Sequence, residues 1–109
     1  MQIAEVAKRY GISVDTIRYY ERIGPRPPRH PAANGIRDFT EYDCGWVEFI
    51  RCMRESGVQI EALVEYVALF QEGEHTAAAR LEILEEQRAK LVAKLEEMQA
   101  TAKRLDAKI

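Results

Sequence analysis

The chain has 109 residues, 47% of them apolar and 31% charged, with a formal net charge of −2 and two cysteines. That length allows one compact domain plus something elongated, and only a modest core. With no apolar run of about 18 residues and no recognisable signal peptide, the expectation is a soluble cytoplasmic protein without a membrane partner.

Ile3, Val6, Ala7 and Tyr10 mark a short amphipathic helix. A turn through Gly11 leads to a second helix opened by Ser13, whose hydroxyl can accept from the backbone N–H of Thr16. Ile12 and Ile17 occupy the staple positions before and inside that helix, and Gly24 supplies its stop. At about 100° per residue, Val14, Asp15, Arg18, Tyr19 and Arg22 fall on one face, and Thr16, Ile17, Tyr20 and Ile23 on the other. One face can dock on a core. The other offers two guanidiniums and a phenol, groups that reach phosphates and base edges. Helix, turn, helix in this order is a helix-turn-helix reading.

Four prolines between Pro25 and Pro31 exclude helix there. Asn34-Gly35 signals a tight turn, and Ile36-Arg37-Asp38-Phe39 alternates like a short strand. Residues 25–39 therefore read as a wing beside the second helix, the alternative being a Pro-rich linker. Thr40-Glu41-Tyr42-Asp43 is a capping box with Asp in the third helical position. It opens a helix over about 41–56 that carries Trp46, Phe49, Ile50 and Met53 on one stripe and closes at Ser56-Gly57. A second linking helix, about 60–71, is expected to bury Ile60, Leu63, Val64 and Val67, with Gly73 as its stop. Trp46 and the neighbouring aromatics are most simply core.

Thr76 is read as the cap of the last segment, 76–109, which contains neither Gly nor Pro. Its heptad series runs Leu81, Leu84, Arg88, Leu91, Leu95, Met98, Ala102, Leu105, Ile109, with Arg88 the one charge. A helix of about 33 residues spans about 50 Å, and a two-per-heptad stripe asks for a partner helix. The sequence holds no second long helix, so the seam is expected to pair with another copy. Two domains follow: a DNA-binding half over 1–72 and a dimerisation helix over 76–109. A two-fold dimer would read two half-sites of a palindrome at fixed separation.

Charge placement agrees with a DNA-binding half. Between Arg18 and Arg37 stand Arg18, Arg22, Arg26, Arg29 and Arg37 against one acid, Glu21, whereas the chain from Glu55 onward carries a net −4. A basic patch on an otherwise acidic chain is the footprint of a site, although a randomly solvated charged face gives the same count. There is no Ser/His/Asp grouping, no Gly-rich phosphate loop and no H-E-x-x-H, and His30 and His75 fall in the wing and in a loop. No Cys/His cluster suggests a metal. An enzyme, a cofactor and a bound metal are not expected. Cys44 and Cys52, eight apart on one helix, would lie about 12 Å apart along its axis, too far for a disulfide. Cys44 falls at a staple position opposite Phe39 and reads as a small buried residue.

Ile3-Ala-Glu-Val-Ala7, Ile12-Ser13, Thr16-Ile-Arg-Tyr-Tyr-Glu-Arg-Ile-Gly24 and Asn34-Gly-Ile-Arg-Asp-Phe39 together resemble the MerR family of bacterial transcription regulators. The resemblance runs along the whole chain, with Pro25 and Arg26 standing where the family usually has two bulky aliphatics. It implies a mainly α fold: a winged helix-turn-helix, a helix pair and a long antiparallel coiled-coil dimerisation helix. It also implies double-stranded promoter DNA and RNA polymerase as partners. Val14, Asp15, Thr16 and Arg18, with the capping Ser13, would then lie at or near base edges, and Tyr19, Tyr20, Arg22 and Arg37 would hold phosphates. Activation in the family bends and untwists an overlong promoter spacer. The stretch from Trp46 to Gly57 is similar to the short NmlR- and AdhR-like branch, associated with reactive aldehydes and nitrosative or thiol stress. In that branch a cysteine matching Cys52 is the proposed sensor, the alternative being a semi-buried structural cysteine. In metal-sensing members the cysteines lie beyond the dimer helix, where this sequence offers none. A different class of reading is a coiled-coil protein-interaction module without specific DNA binding.

Overall fold

The computed structural model describes residues 1–24 and 38–109. Most of the expected wing, including Arg37, His30, the Pro25–Arg26 pair and the Asn34–Gly35 turn, lies outside the described residues. Asp38 and Phe39 are described and form no strand; the Phe39 N–H instead donates to the Met1 carbonyl at 2.7 Å.

Among the described residues five α-helices follow one another: α1 (Ile3–Tyr10), α2 (Val14–Ile23), α3 (Glu41–Glu55), α4 (Ile60–Glu72) and α5 (Ala77–Lys108), with a 3-10 turn at Glu74–Thr76 before the last. Their starts are written in local hydrogen bonds. Ser13 Oγ accepts from Thr16 N at 3.1 Å. At the head of α3 both halves of the capping box are made: Asp43 N to Thr40 Oγ1 at 3.2 Å, and Thr40 N to Asp43 Oδ2 at 2.9 Å. Such caps each contribute about 1 kcal/mol. Gly11 takes the left-handed conformation, φ 66° and ψ 33°, that lets α1 stop and the chain turn sharply into α2.

Two apolar clusters fill the region from α1 to α4. Val6, Ile17, Phe39, Cys44 and Val47 form the first, flanked by Ile3, Ala7, Tyr10 and Ile12. Ile50, Val58, Ala62 and Leu63 form the second, flanked by Ile23, Trp46, Phe49, Met53 and Ile83. Tyr20 packs against both. The helix α3 therefore shows two buried edges, Cys44/Val47 and Ile50, and so ties the clusters together. Val6 and Ile17 are fully enclosed, and burial of each contributes about 1.5–3 kcal/mol.

Gly24 ends α2 as expected, in an extended conformation, φ −67° and ψ 170°, whereas the readings of Val64 and Thr76 change. Pro25 follows Gly24, and a residue before proline is driven out of the helical region. Val64, expected in the core, is 49% exposed, while its neighbour Ala62 is buried. The inner arc of α4 centres on Leu63 and Val67, and the other elements cover only the Ala62 flank of it. Thr76 makes no side-chain cap for α5. Its buried hydroxyl instead points back at the end of α4, 2.7 Å from the carbonyls of Leu69 and Gly73.

The first turns of α5 dock on the rest through Arg80 and Ile83. Beyond them the heptad stripe is open: Leu81, Leu84, Leu91, Leu95, Met98 and Leu105 are 40–62% exposed, and Ala102 and Ile109 are also exposed. No helix among the described residues is long and apolar enough to cross a membrane.

Candidate nucleic-acid interface

The face of α2 opposite Ile17 is the candidate interface. Because Ile17 is enclosed and Tyr20 and Ile23 rest on the clusters, the other side of the same helix must point outward. Asp15 and Arg18 project with side chains 95% and 62% exposed, joined loosely by an i,i+3 ion pair at 3.7 Å. An exposed pair of that length contributes little and leaves the guanidinium available to another acceptor. Arg22 is exposed and stacks over the Tyr19 ring, 5.9 Å from its centroid. Tyr19 in turn meets Tyr20 edge-on, centroids 5.9 Å apart at 72°. The order is two half-buried rings and an exposed guanidinium, which limits the directions in which Arg22 can swing.

At the N-terminal end of α2, Ser13 Oγ and Thr16 Oγ1 lie 2.8 Å apart. One hydroxyl proton is thus shared between them, while the half-buried Val14 and exposed Asp15 stand beside the open helix terminus. Of the sequence-derived residues, Asp15, Arg18 and Arg22 are exposed along α2, Val14, Thr16 and Tyr19 are half-buried, and Ser13 is exposed at its N-terminal end. Tyr20 is also half-buried, its ring packed against both clusters. Arg37 lies outside the described residues, as do Arg26 and Arg29, so of the basic patch only Arg18 and Arg22 are placed.

Sequence reasoning passed over Arg9. This residue, in the last turn of α1, pairs with Glu41 at 3.2 Å and stacks on the Tyr10 ring at 5.5 Å. It joins α1 to α3, and its pairing with Glu41 raises its pKa further above the ordinary arginine value. Burial pushes the Tyr10 phenol up, and its hydroxyl donates to the Cys44 carbonyl at 3.4 Å. Both contacts hold the scaffold under α2.

The two cysteines differ sharply. Cys44 is buried in the first cluster, as its staple position implied, whereas Cys52 is exposed. The semi-buried structural setting, the alternative for Cys52, is not what the structure shows: the residue lies on the solvent side of α3, off the Trp46/Phe49/Ile50/Met53 stripe. Nor is Arg51 a free charge beside it. Its guanidinium is held by Glu48, at 3.1 and 2.8 Å, and by Glu55 at 2.9 Å. The pairing pulls the Glu48 carboxyl below its ordinary pKa and pushes Arg51 above its own. Among the described residues no three His, Cys, Asp or Glu side chains come together as a metal site.

Comparison with known proteins accords with this geometry. A model of the MerR HTH family regulatory protein matches residues 1–69, and a MerR DNA-binding model matches residues 45–108. The HTH-type transcriptional regulator AdhR of Bacillus subtilis is 51% identical over 92 residues, covering 84% of this chain and 66% of AdhR. HmrR of Sinorhizobium medicae is 33% identical over 109 residues, covering 96% and 74%. The chain thus spans just under two thirds of the length of AdhR. Among solved structures, a MerR family regulator from Listeria monocytogenes superposes with a TM-score of 0.90 at 49% identity, covering 99% of this chain and 82% of that one. HiNmlR, a MerR family regulator lacking the sensor domain and solved on promoter DNA, superposes with a TM-score of 0.84 at 25% identity, covering 98% and 85%. By sequence and by fold, the chain belongs to the MerR family of helix-turn-helix transcription regulators, which are DNA-binding proteins and not enzymes.

Proposed function

We propose that the protein is a homodimeric promoter regulator that distorts DNA in response to reactive electrophiles sensed at Cys52. The observation that carries the DNA-binding part is the division of α2: Ile17 is enclosed and Arg18 and Arg22 stand out on the opposite side. Val14, Asp15, Thr16 and Arg18 would meet base edges, with Ser13 at the helix terminus among them. Tyr19, Arg22, Arg37 and the Tyr20 hydroxyl would position the helix on phosphates. HiNmlR, which shares the fold over nearly the whole chain, is a regulator bound to promoter DNA, and this supports the reading.

The second copy is argued from α5. A stripe of exposed leucines along a 32-residue helix is stable in water only when covered. Charge then favours a direction. The first ten residues of α5 are acidic, with Glu82, Glu85 and Glu86 against Arg80. The end of α5 is basic, with Lys103, Arg104 and Lys108 against Asp106. Antiparallel pairing sets the basic end of one helix beside the acidic start of the other; parallel pairing sets like against like. The dimer would hold two α2 helices on two half-sites of a palindromic promoter spacer in the cytoplasm. Bending such a site costs about 1–6 kcal/mol, a range within which modification of one cysteine can shift the balance. RNA polymerase would then engage both promoter elements.

Cys52 is chosen because its thiol is exposed on the helix that joins the two clusters, and because AdhR, a transcriptional regulator, is half identical to this chain. The test is in vitro transcription from the protein's own upstream region, with wild type and Cys52→Ser, with and without a small aldehyde. Activation of wild type alone is expected. Equal activation of both proteins removes Cys52 from the mechanism. A duplex-DNA affinity that does not fall with salt would replace the regulator with a protein-interaction module.

A further inference from the structure

Only Gly73 and one 3-10 turn connect α4 to α5. Gly73 adopts φ 122° and ψ −173°, a region open essentially to glycine alone. A junction of that kind can pivot unless side chains hold it. Here they do. Thr76 is 5% exposed, and its hydroxyl lies 2.7 Å from both the Leu69 and Gly73 carbonyls. The same oxygen accepts from Arg80 Nε at 3.1 Å. The Arg80 guanidinium carbon sits 5.6 Å from the centroid of Phe70, and Phe70 meets Trp46 edge-on at 5.0 Å. One hydroxyl and one guanidinium thus bind the first turn of α5 to the end of α4 and, through two rings, to α3.

We propose that Thr76 and Arg80 are positioning residues that fix the angle between the DNA-binding half and the dimer helix, and so set the half-site spacing that the dimer reads. This rests on the homodimeric DNA-binding reading above. Leverage makes the joint matter. A rotation of about 8° acting over half of α5, about 24 Å, displaces the far end by about 3.4 Å, one base-pair step. A buried hydroxyl shared between two carbonyls resists such a rotation because any swing leaves an acceptor or the Arg80 N–H unpaired in a dry place. Neither residue touches the α2 surface, so their loss should alter spacing preference and leave recognition of a single half-site intact.

The test uses the full chain. Wild-type protein first selects a duplex from a randomised library. The selected duplex is then remade with its centre lengthened or shortened by one base pair, which also turns the half-sites by about 35° relative to each other. Affinities for the three duplexes are compared for wild type, Thr76→Val, Thr76→Ser and Arg80→Met, with dimer mass from light scattering and melting curves alongside. Thr76→Val is expected to remain dimeric and to discriminate between spacings about fivefold less than wild type, the scale of one lost hydrogen bond. Thr76→Ser, which keeps the hydroxyl, should restore wild-type discrimination, and Arg80→Met should lose part of it. A dimeric Thr76→Val with undiminished spacing preference overturns the proposal. Should Thr76→Val fail to fold, Arg80→Met decides, and undiminished preference there overturns it equally. A wild type that selects no paired half-sites overturns the regulator reading and the joint together.

Discussion

Gly24 lies directly against Ile50: a methyl group placed on its Cα would come within 3.6 Å of Ile50 Cδ1 and 3.3 Å of the Tyr20 carbonyl oxygen. A side chain at this position would thus rest against the centre of the second cluster and crowd the last turn of α2 itself. Gly24→Val is expected to destabilise the fold by about 1–3 kcal/mol, read as a lowered midpoint in urea, and to weaken DNA binding in parallel.

Arg18 and Arg22 should separate by the kind of binding they lose. Both are exposed and outside the clusters, so alanine at either should leave the melting temperature within about a degree or two. Arg22→Ala is expected to weaken binding similarly on all duplexes and to reduce the slope of log affinity against log salt by about 1. Arg18→Ala is expected to cost about 1–3 kcal/mol on the preferred sequence and little on others. Titrations by fluorescence anisotropy at three salt concentrations distinguish these patterns. Identical behaviour of the two variants would remove Arg18 from the base edges.

Leu95 sits near the middle of the open stripe and is 52% exposed. Leu95→Glu should produce a monomer in which α1 to α4 stay folded, because none of the buried core residues belongs to this part of α5. Light scattering reads the mass. With the second half-site no longer tethered, operator affinity should fall by about 100-fold or more.

The thiols should react in two steps. Cys52 is exposed and Cys44 is 1% exposed in the first cluster. A thiol reagent is expected to label Cys52 in the native protein and Cys44 only in denaturant. Cys52→Ser should leave stability within about 0.5 kcal/mol. Cys44→Ser places a hydroxyl among Val6, Ile17 and Phe39 and should cost about 1–3 kcal/mol.

The Glu48–Arg51 pairing gives a signed pH dependence. Hydrogen bonding to Arg51 depresses the Glu48 pKa in the folded chain. The pairing therefore adds stability above the ordinary glutamate range, near pH 4.3, and loses it as pH falls through the depressed value. Glu48→Gln should be less stable than wild type at pH 7, with the two melting temperatures converging in acid. A gap that persists unchanged to pH 2 would assign the difference to packing instead.

The helix starts were legible because their causes are local. Ser13 reaches Thr16, and Thr40 reaches Asp43, across three residues, so a short stretch of sequence contains both partners of each hydrogen bond. The outward face of α2 followed from periodicity, and the burial of Cys44 from its staple position, in the same local way. The heptad likewise called for a covering partner without reference to the rest of the chain, although nothing in its own spacing chose a direction.

What the sequence could not determine was which flank of a helix its neighbours would cover. Ala62 and Val64 stand on opposite flanks of the Leu63–Val67 arc, and hydropathy favours burying the valine. The packing of α2 and α5 against one side of α4 buries the alanine and leaves the valine in water. Thr76 has the residue type of a cap and reads as one. The Leu69 carbonyl, seven residues back, becomes its partner only once the chain has folded over at Gly73. Cys52 follows the same rule, exposed because of where α3 meets its neighbours, whereas Arg51 is held by Glu48 and Glu55 within its own helix. Hydrogen bonds within one turn are fixed by adjacent residues, whereas the angle at which two helices meet is fixed by side chains distributed over the whole chain. Sequence by itself therefore determined the helices and the outward face of α2, and tertiary packing decided which flanks are covered and how the chain is held at Gly73.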